Sequence, residues 1–556
     1  MCGIFGLINY HKTDKRIVYN FNKGKNRGPE SSTIKIYNNV FLGFHRLAIN
    51  GLNKQADQPF FIDNIALICN GEIYNFKELA EDNSIELTTG SDCEIIIYLY
   101  KLYGIEYTLN ILDGVFAFIL YDLKINTVFA CRDPRGVRPL YYYYYNNKMA
   151  FASELKTIYN LSETKKNINN FCPGSYMTIR NNEIIQYNYK KYTNFPCNNI
   201  IYEESYKYLD DIYKNIVHYI NAAVKKRVIG TCERPIACLL SGGLDSSLVA
   251  ALVNKHYSSE NKLETYSIGL PGSEDLKYAA IMAKHLNTNH HEIIVSEDDF
   301  FNAIPEVIKT IESYDTTTIR ASVGNYLIGK YIKENSNAKV IFNGDGADEL
   351  MGGYLYLKKA PNMYEFDKEC KRLLDDIFMF DVLRSDKCIS SHGLEPRTPF
   401  LDRKWVEYYL SLDKNLRYMT TVNNCEKYLI RKAFDMIEPT LLPKEILWRT
   451  KEAFSDGVSS LNKAWFQIIQ EKIEKLYLNE KSLERELNNT LMLYKNLRIS
   501  NNIPETYEQA YYRYLYNKHY MDTDHLIAYY WMPKYVDAKD SSARTLNVYA
   551  EKNSNK

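Results

Sequence analysis

The chain has 556 residues, of which 46% are hydrophobic and 25% charged, as is ordinary for a globular protein. This composition excludes a disordered chain, a collagen and a disulfide miniprotein. Lys and Arg total 69 against 68 Asp and Glu, so the formal net charge is +1. Charge therefore gives no reason to expect nucleic acid or a membrane surface as a partner.

Targeting and redox signals point to the cytoplasm. The N-terminus lacks a basic region, and no window approaches the roughly 18 consecutive apolar residues of a membrane span. The 11 cysteines are scattered without a CxxC pair. We expect reduced thiols and no zinc cluster.

The first 190 or so residues contain short β-branched and aromatic runs separated by Gly, Asn and Asp, a pattern typical of strands. The predicted strands are residues 43–49, 65–70, 114–122, 127–132, 141–145 and 149–153, and the predicted helices are 76–80 and 93–103. Because strands predominate without alternating strictly with helices, this part is predicted to be a layered α+β domain.

A polar, Asn-rich stretch at residues 189–201 indicates a linker, and we place the domain boundary between residues 195 and 196. A helix is predicted at 206–226. Strands at 236–240, 263–269, 291–295 and 340–343 then alternate with helices at 245–255, 273–286 and 321–333. This alternation predicts an α/β domain, residues 196–556, with a mostly parallel sheet and ligands at the carboxyl ends of its strands.

Cys2 stands directly behind the initiator methionine, and its small side chain permits removal of Met1. Removal would give one residue both a thiol and a free α-amine. Because an unperturbed α-amine titrates at about 7.7–8.0 and a thiol at about 8.5, the amine could act as the base for its own thiol. This is the arrangement of an N-terminal nucleophile hydrolase.

Four further motifs follow Cys2 in order: Arg27-Gly28-Pro29, His45-Arg46-Leu47-Ala48-Ile49, Asn70-Gly71-Glu72-Ile73-Tyr74-Asn75 and Ser91-Asp92. Together they resemble the glutaminase domain of class II glutamine amidotransferases. The resemblance implies a four-layer αββα fold over residues 1–195, in which Cys2 attacks the side-chain amide of glutamine. It also implies the following partners: Asn70 and Gly71 as the oxyanion hole, Arg46 for the substrate carboxylate, Glu72 and Asp92 for its ammonium, and Leu47, Ala48, Ile49 and Asn50 as further pocket residues.

A second motif follows the apolar strand at 236–240: Ser241-Gly242-Gly243-Leu244-Asp245-Ser246-Ser247. Two glycines let the backbone approach a ligand, and the next helix offers N–H groups to phosphate oxygens. The motif is neither a Walker loop nor GxGxxG. It resembles the loop of PP-loop ATP pyrophosphatases, which release pyrophosphate and leave AMP on an oxygen of the substrate.

An acidic motif, Asn343-Gly344-Asp345-Gly346-Ala347-Asp348-Glu349, follows a later strand. Departure of pyrophosphate requires charge neutralisation, usually by Mg²⁺ on a few carboxylates. Asp245 and Asp348 are the best candidate ligands.

The order of the two halves resembles the glutamine-hydrolysing asparagine synthetase family over nearly the whole chain. Further motifs that carry the resemblance are Asp275-Leu276, residues 314–322, 394–402 and 449–457, and Trp531-Met532-Pro533-Lys534. The resemblance implies three steps: glutamine hydrolysis, adenylation of the aspartate side chain by ATP to β-aspartyl-AMP, and attack by internally transferred ammonia. The implied partners are glutamine, aspartate, ATP and Mg²⁺, with no nucleic acid or membrane, and a homodimer is allowed.

The resemblance also assigns residues of the second site. ATP would be bound by Leu239, Ser241, Gly242, Gly243, Asp245, Ser246, Ile268, Asn343 and Gly344. Lys451 would contact pyrophosphate, Thr317 and Arg320 would help to bind aspartate or the acyl phosphate, and Asp345 would accept the proton of attacking ammonia. The family often has Glu in place of Asp345 and Ser in place of Asn343, and Asp reaches roughly 1.5 Å less than Glu.

Other functions remain open. The same scaffold could form a β-lactam or amidate another acid, although ring closure needs no ammonia and the intact Cys2 argues against it. An inactive, ligand-binding paralogue is disfavoured by retention of Cys2, Asp245, Asp348 and Lys451. A phosphoribosyl-transferring amidotransferase would share the first domain only. Metal binding by His290-His291-Glu292 is disfavoured because adjacent strand residues point to opposite faces.

Overall fold

The structure, a computed structural model, describes residues 1–11, 13–181, 183–188, 208–230, 233–418, 425–460, 463–479, 481, 485–488, 492 and 502–546. The predicted linker at 189–201 and the boundary between 195 and 196 lie outside these residues. The flanking elements are a strand that ends at Asn188 and a helix that begins at Leu209.

Two antiparallel sheets form the N-terminal part. Their strands are β1 Gly3–Ile8, β2 Ser31–Tyr37, β3 Val40–Arg46, β4 Phe60–Ile62, β5 Ile65–Ile73, β6 Gly114–Asp122, β7 Thr127–Arg132, β8 Tyr141–Tyr145, β9 Lys148–Ala152, β10 Ile168–Asn170, β11 Tyr176–Arg180 and β12 Glu183–Asn188. The orders are β10-β8-β9-β1-β3-β2 and β12-β11-β7-β6-β5-β4.

The two sheets pack face to face. Ile4 and Leu42 of the first sheet share a buried cluster with Ile68 and Ile119 of the second. Along β1, Phe5 points to the opposite face, as alternation in a strand requires, and there it meets α1 (Arg16–Asn22). Helix α4 (Leu155–Ile158) lies beside α1, whereas α2 (Phe76–Asp82) and α3 (Ile95–Ile111) cover the second sheet. The predicted αββα layering is confirmed.

Several predicted elements differ in extent; for example, the helix predicted at 321–333 is Thr316–Asn335. Two in the N-terminal part differ for a visible reason. The strand predicted at 43–49 is Val40–Arg46, because the chain leaves the sheet after Arg46 to form a loop. The helix predicted at 93–103 continues to Ile111 across Gly104, which has a φ of 74° and kinks the helix.

The C-terminal part contains a parallel sheet of β13 Ile236–Leu239, β14 Glu264–Gly269, β15 Asn289–Ile294, β16 Val340–Phe342 and β17 Glu395–Arg397, in the order β15-β14-β13-β16-β17. Because later strands add on both sides of β13, the order reverses there, and a crevice opens at the carboxyl ends of β13 and β16. This confirms the predicted α/β architecture.

Helices surround this sheet. They are α5 Leu209–Lys225, α6 Leu244–His256, α7 Glu274–Leu286, α8 Glu297–Asn302, α9 Ile304–Ile311, α10 Thr316–Asn335, α11 Ala347–Met351, α12 Met363–Asp376, α13 Asp381–Ser390, α14 Arg403–Ser411, α15 Lys414–Arg417, α16 Tyr428–Ile437, α17 Lys444–Leu447, α18 Phe454–Gly457, α19 Trp465–Asn479 and α20 Tyr507–Tyr520. Within the described part of the chain, none is long and apolar enough to cross a bilayer.

Candidate active sites

Cys2 immediately precedes the central strand β1 of the first sheet. Its Sγ donates to the carbonyl of Leu47 over 3.5 Å, and burial raises the pKa of the thiol to about 11. The α-amine belongs to Met1 in this chain and is buried 4.0 Å from a Glu395 carboxylate oxygen, and burial lowers its pKa to about 6. With Met1 attached, the amine is not on the residue that carries the thiol.

Asn70 and Gly71 lie in β5, within the same sandwich. Asn70 is fully buried, and neither its side-chain oxygen nor its side-chain nitrogen has a partner among the described residues. An unpaired buried amide is costly, so a ligand that pairs with it gives the best explanation. At Gly71 a Cβ would lie 2.4 Å from the carbonyl of Val115, so only glycine fits there. This arrangement supports the predicted oxyanion hole.

Two buried carboxylates lie beside this amide. Asp92 accepts a hydrogen bond from the backbone N–H of Ile73 over 2.6 Å, and Asn50 donates to Glu72 over 3.1 Å. Burial raises the pKa of Asp92 to about 6, and burial together with repulsion from Glu395 and Asp92 raises that of Glu72 well above its usual value. A cationic ligand would relieve both costs.

Arg46 shapes the loop that follows it. Its Nη1 donates to the Asn53 carbonyl over 2.8 Å and to Asp57 over 2.6 Å, and its Nη2 donates to the Gly51 carbonyl. This loop carries Leu47, Ala48 and Ile49, which are all buried, and Asn50. The structure thus brings the predicted glutamine-site residues together but shows Arg46 engaged with protein groups.

The second site is a cavity of about 210 Å³ at the carboxyl ends of β13 and β16. Of the predicted residues, it is lined by Leu239, Ser241, Gly243, Asp245, Ser246, Ile268, Thr317, Asn343, Gly344, Asp345, Asp348 and Lys451. Gly242 lies behind this wall with a φ of +69°, where a Cβ would meet the backbone of Tyr278 at 2.4 Å. Gly242 therefore lets the loop pack on α7.

The loop that begins at Ser241 and the loop that begins at Asn343 pack against each other in this cavity. The Ser241 and Ser246 hydroxyl oxygens lie 3.0 Å apart. A Cβ at Gly344 would lie 2.9 Å from both the Cβ of Asp245 and the N of Ser246, so glycine allows this close approach. The start of α6 is thereby held at the wall of the cavity, and the N-terminus of a helix is suited to binding phosphate.

Lys427 was not predicted, yet it joins the two candidate metal ligands. Its Nζ lies 2.5 Å from Asp245 and also contacts Asp348, and the Nζ of Lys451 lies 2.5 Å from Asp348. Burial alone would raise the pKa of Asp348, but the two ammonium groups lower it below its usual range. Oδ1 of Asp245 is buried without a partner among the described residues. Two carboxylates that face the same cavity suit Mg²⁺, which usually takes one or two carboxylates and phosphate oxygens.

Asp345 faces the cavity and is paired with Arg384, whose Nη2 lies 3.1 Å from Oδ1 of Asp345. Burial raises the pKa of Asp345, and Arg384 opposes that rise. The Asn343 side chain accepts from the backbone N–H of Asp345 over 3.3 Å and donates to Ser385 over 2.6 Å. The side chain of Asn343 and the backbone of Asp345 are therefore in direct contact.

Arg320, which was predicted to help bind aspartate or the acyl phosphate, is not among the residues that line the cavity. Its guanidinium is buried and binds Glu508 over 2.6 Å and Asp540 over 2.6 Å. The guanidinium nitrogen atoms of Arg320, which would bind a substrate carboxylate, are thus paired with these two protein carboxylates. Thr317 does face the cavity, and its hydroxyl donates to the carbonyl of Trp531 over 3.3 Å.

His290 and His291 each contact other side chains in the structure. His290 bonds the hydroxyls of Thr265 and Ser267, whereas His291 stacks on Tyr266 with ring centroids 4.8 Å apart. Among the residues the structure describes, no group of three or more His, Cys, Asp or Glu side chains is arranged to hold a metal ion.

Comparison with known families assigns both halves. Residues 1–211 match the model of a glutamine amidotransferase domain, and residues 216–368 and 361–502 match that of asparagine synthase. The chain is 39% identical over 572 residues to the glutamine-hydrolyzing asparagine synthetase of Gallus gallus and 38% identical over 573 residues to that of Homo sapiens. Each alignment covers 99% of both chains.

Solved structures show weaker likeness. A glutamine phosphoribosylpyrophosphate amidotransferase from B. subtilis, complexed with ADP and GMP, is 16% identical, with a TM-score of 0.31, and the match covers 53% of this chain and 81% of that one. An NMN synthetase from Francisella tularensis is 12% identical, with a TM-score of 0.21, over 48% of this chain and 94% of that one.

Proposed function

The chain belongs to the glutamine-hydrolysing asparagine synthetase family, and from this premise we propose that it makes asparagine from aspartate and ATP with nitrogen from glutamine. One observation carries the proposal. The chain holds a buried thiol site with an unpaired amide at Asn70 and, separately, a cavity of about 210 Å³ lined by paired lysines and carboxylates. Release of ammonia and activation of a carboxylate need two sites of these kinds.

In the first site, removal of Met1 would expose the α-amine of Cys2 as the base for its thiol. The thiolate would attack the glutamine amide, and Asn70 and the Gly71 N–H would stabilise the oxyanion. Glu72 and Asp92 would hold the ammonium of glutamine. Arg46 would bind its carboxylate only if the bonds to the 51–57 loop are exchanged for the substrate.

In the second site, the loop Ser241–Ser246 and the start of α6 would hold the phosphates of ATP, with Leu239 and Ile268 near the adenosine. Asp245 and Asp348 would hold Mg²⁺, which neutralises charge on departing pyrophosphate. Lys451 would follow that charge. Asp345 would accept a proton from ammonia as it attacks β-aspartyl-AMP.

We also propose the domain division at residues 195 and 196, a cytoplasmic location and a homodimer. The location is supported by the nine cysteines of the described residues, all of which are free thiols, as a reducing compartment would keep them. The homodimer would be measured by light scattering of the purified protein.

The decisive experiment compares nitrogen donors in the unsubstituted protein and in Cys2→Ala. We expect aspartate-dependent release of AMP and pyrophosphate with either donor, intact mass showing loss of Met1, and a C2A variant that uses ammonia but not glutamine. ADP and orthophosphate as products, or equal loss of both activities in C2A, would contradict the proposal. A panel of other carboxylic acids in the same AMP assay tests the choice of aspartate.

A further inference from the structure

Arg397 ends β17, the edge strand of the C-terminal sheet, yet its side chain reaches the glutamine site. The residue is 1% exposed, and its Nη2 lies 3.2 Å from Oε2 of Glu72. Its Nε donates to Oε1 of Glu395 over 2.9 Å. A guanidinium of one domain thus binds a carboxylate that belongs to the substrate pocket of the other.

The carboxylates around this contact outnumber the cations that pair with them closely. Glu72, Asp92 and Glu395 are all buried, and burial together with repulsion from Glu395 and Asp92 raises the pKa of Glu72. Arg397 is within 3.2 Å of two of them, whereas Arg138 is 3.9 Å from Glu395. Because a buried charge is costly unless it is paired, Arg397 is placed to oppose the rise in the pKa of Glu72 and to fix the direction of its carboxylate.

The main chain of the same residue contacts a residue that lines the ATP cavity. The carbonyl of Arg397 accepts a hydrogen bond from the N–H of Asn343 over 3.1 Å, and Phe342 is its partner in the ladder between β16 and β17. Arg397 therefore contacts the first residue of the acidic loop through its backbone and Glu72 through its side chain.

The C-terminal domain also contacts the loop that follows Arg46, which carries residues of the predicted glutamine site. The N–H of Glu233 donates to the carbonyl of Ile49 over 3.1 Å, and its carboxylate accepts from the N–H of Gly51 over 2.9 Å. The Nε of Arg234 donates to the carbonyl of Ala48 over 2.9 Å. The pocket is thus completed by residues that follow it by more than 180 positions.

We propose that Arg397 is a positioning residue for glutamine, which acts through Glu72 and makes the affinity of the first site depend on docking of the edge strand of the second. This inference rests on the proposed function, since it presumes that Glu72 binds the ammonium of glutamine. Arg397 itself touches no substrate, and its effect falls on glutamine binding rather than on the thiol chemistry.

The test measures glutaminase kinetics of R397M and R397K in the full chain, with ammonia-dependent asparagine synthesis as the second readout. We expect the glutamine KM of R397M to rise about tenfold or more, because Glu72 loses its closest cation, while the glutaminase kcat changes by less than about threefold. Ammonia-dependent synthesis should stay within about twofold, because the backbone contact to Asn343 is retained. R397K keeps the positive charge but loses the planar guanidinium that can bond two carboxylates at once, and we expect a smaller rise in the glutamine KM.

A double-mutant cycle with E72Q separates action through Glu72 from a general structural effect. In the E72Q background, R397M should add less than about twofold to the glutamine KM. The matched control is R403M, which removes another arginine contact between the two domains, from Nη1 to the carbonyl of Asn110 over 2.7 Å, without touching the pocket. It should leave the glutamine KM unchanged.

Three results would overturn the inference: an unchanged glutamine KM in R397M, additive effects of R397M and E72Q, or parallel loss of ammonia-dependent synthesis. If R397M does not fold, R397K with and without E72Q decides by the same criteria. Failure of the proposed function would appear earlier and differently, as an unsubstituted protein that does not hydrolyse glutamine.

Discussion

The ammonium of Lys427 lies 2.5 Å from the Asp245 carboxylate and also contacts Asp348, so it joins the two loops of the ATP cavity. Lys427 precedes α16 with a φ of +56°, and its side chain is 1% exposed. A charge held so firmly against both candidate Mg²⁺ ligands must either stay beside the metal or move when the metal and ATP bind. Either way it controls how much negative charge the cavity presents to the triphosphate.

We expect Lys427→Met to lower ammonia-dependent asparagine synthesis by about 10²-fold, because the site loses a preorganised cation. Glutaminase activity should be retained, since Lys427 lies in the other site. Pyrophosphate release at several Mg²⁺ concentrations measures the effect. The control is K444M, which changes an exposed lysine of α17. An unaltered rate in K427M would show that Lys427 takes no part in asparagine synthesis.

A carboxylate at position 345 is expected to be essential despite its short reach. Asp345→Asn should lower asparagine formation with ammonia by about 10²–10⁴-fold, as for loss of a general base. Asp345→Glu should remain within about tenfold. Because burial raises the pKa of Asp345, its base form is lost as pH falls, so the rate should decrease towards acidic pH. Full activity in D345N would exclude proton transfer to this residue.

Local motifs could be predicted from sequence, whereas distant partners could not. Asn70-Gly71 and the loop from Ser241 are contiguous, so their chemistry and turn geometry are visible in the order of residues. Lys427 meets Asp245 across 182 positions, and only the packed fold brings them together. The ion pairs of Arg320 could not be predicted for the same reason, since its carboxylate partners are 188 and 220 residues away.

The glutamine site should lose affinity in mild acid. Burial raises the pKa of Asp92 to about 6, so its carboxylate is ionised above this pH and neutral below it. Since glutamine keeps its ammonium group, its KM should rise by up to about tenfold per pH unit below pH 6. Asp92→Asn, which keeps an oxygen acceptor for Ile73, should bind more weakly at pH 8 and show a flatter profile. An identical pH dependence in D92N would assign the transition to another group.

Arg320 is expected to secure the C-terminal segment rather than to bind aspartate. Removal of its guanidinium in Arg320→Met leaves Glu508 and Asp540 close together with one cation fewer, so the free energy of unfolding should fall by about 3–5 kcal/mol. The double variant R320M/E508Q should recover part of this loss, because E508Q removes one of the two carboxylates that R320M leaves without the guanidinium. Urea unfolding measures the stability, and the aspartate KM tests the alternative that Arg320 binds aspartate. An R320M variant of unchanged stability with a much higher aspartate KM would place the guanidinium on the substrate after all.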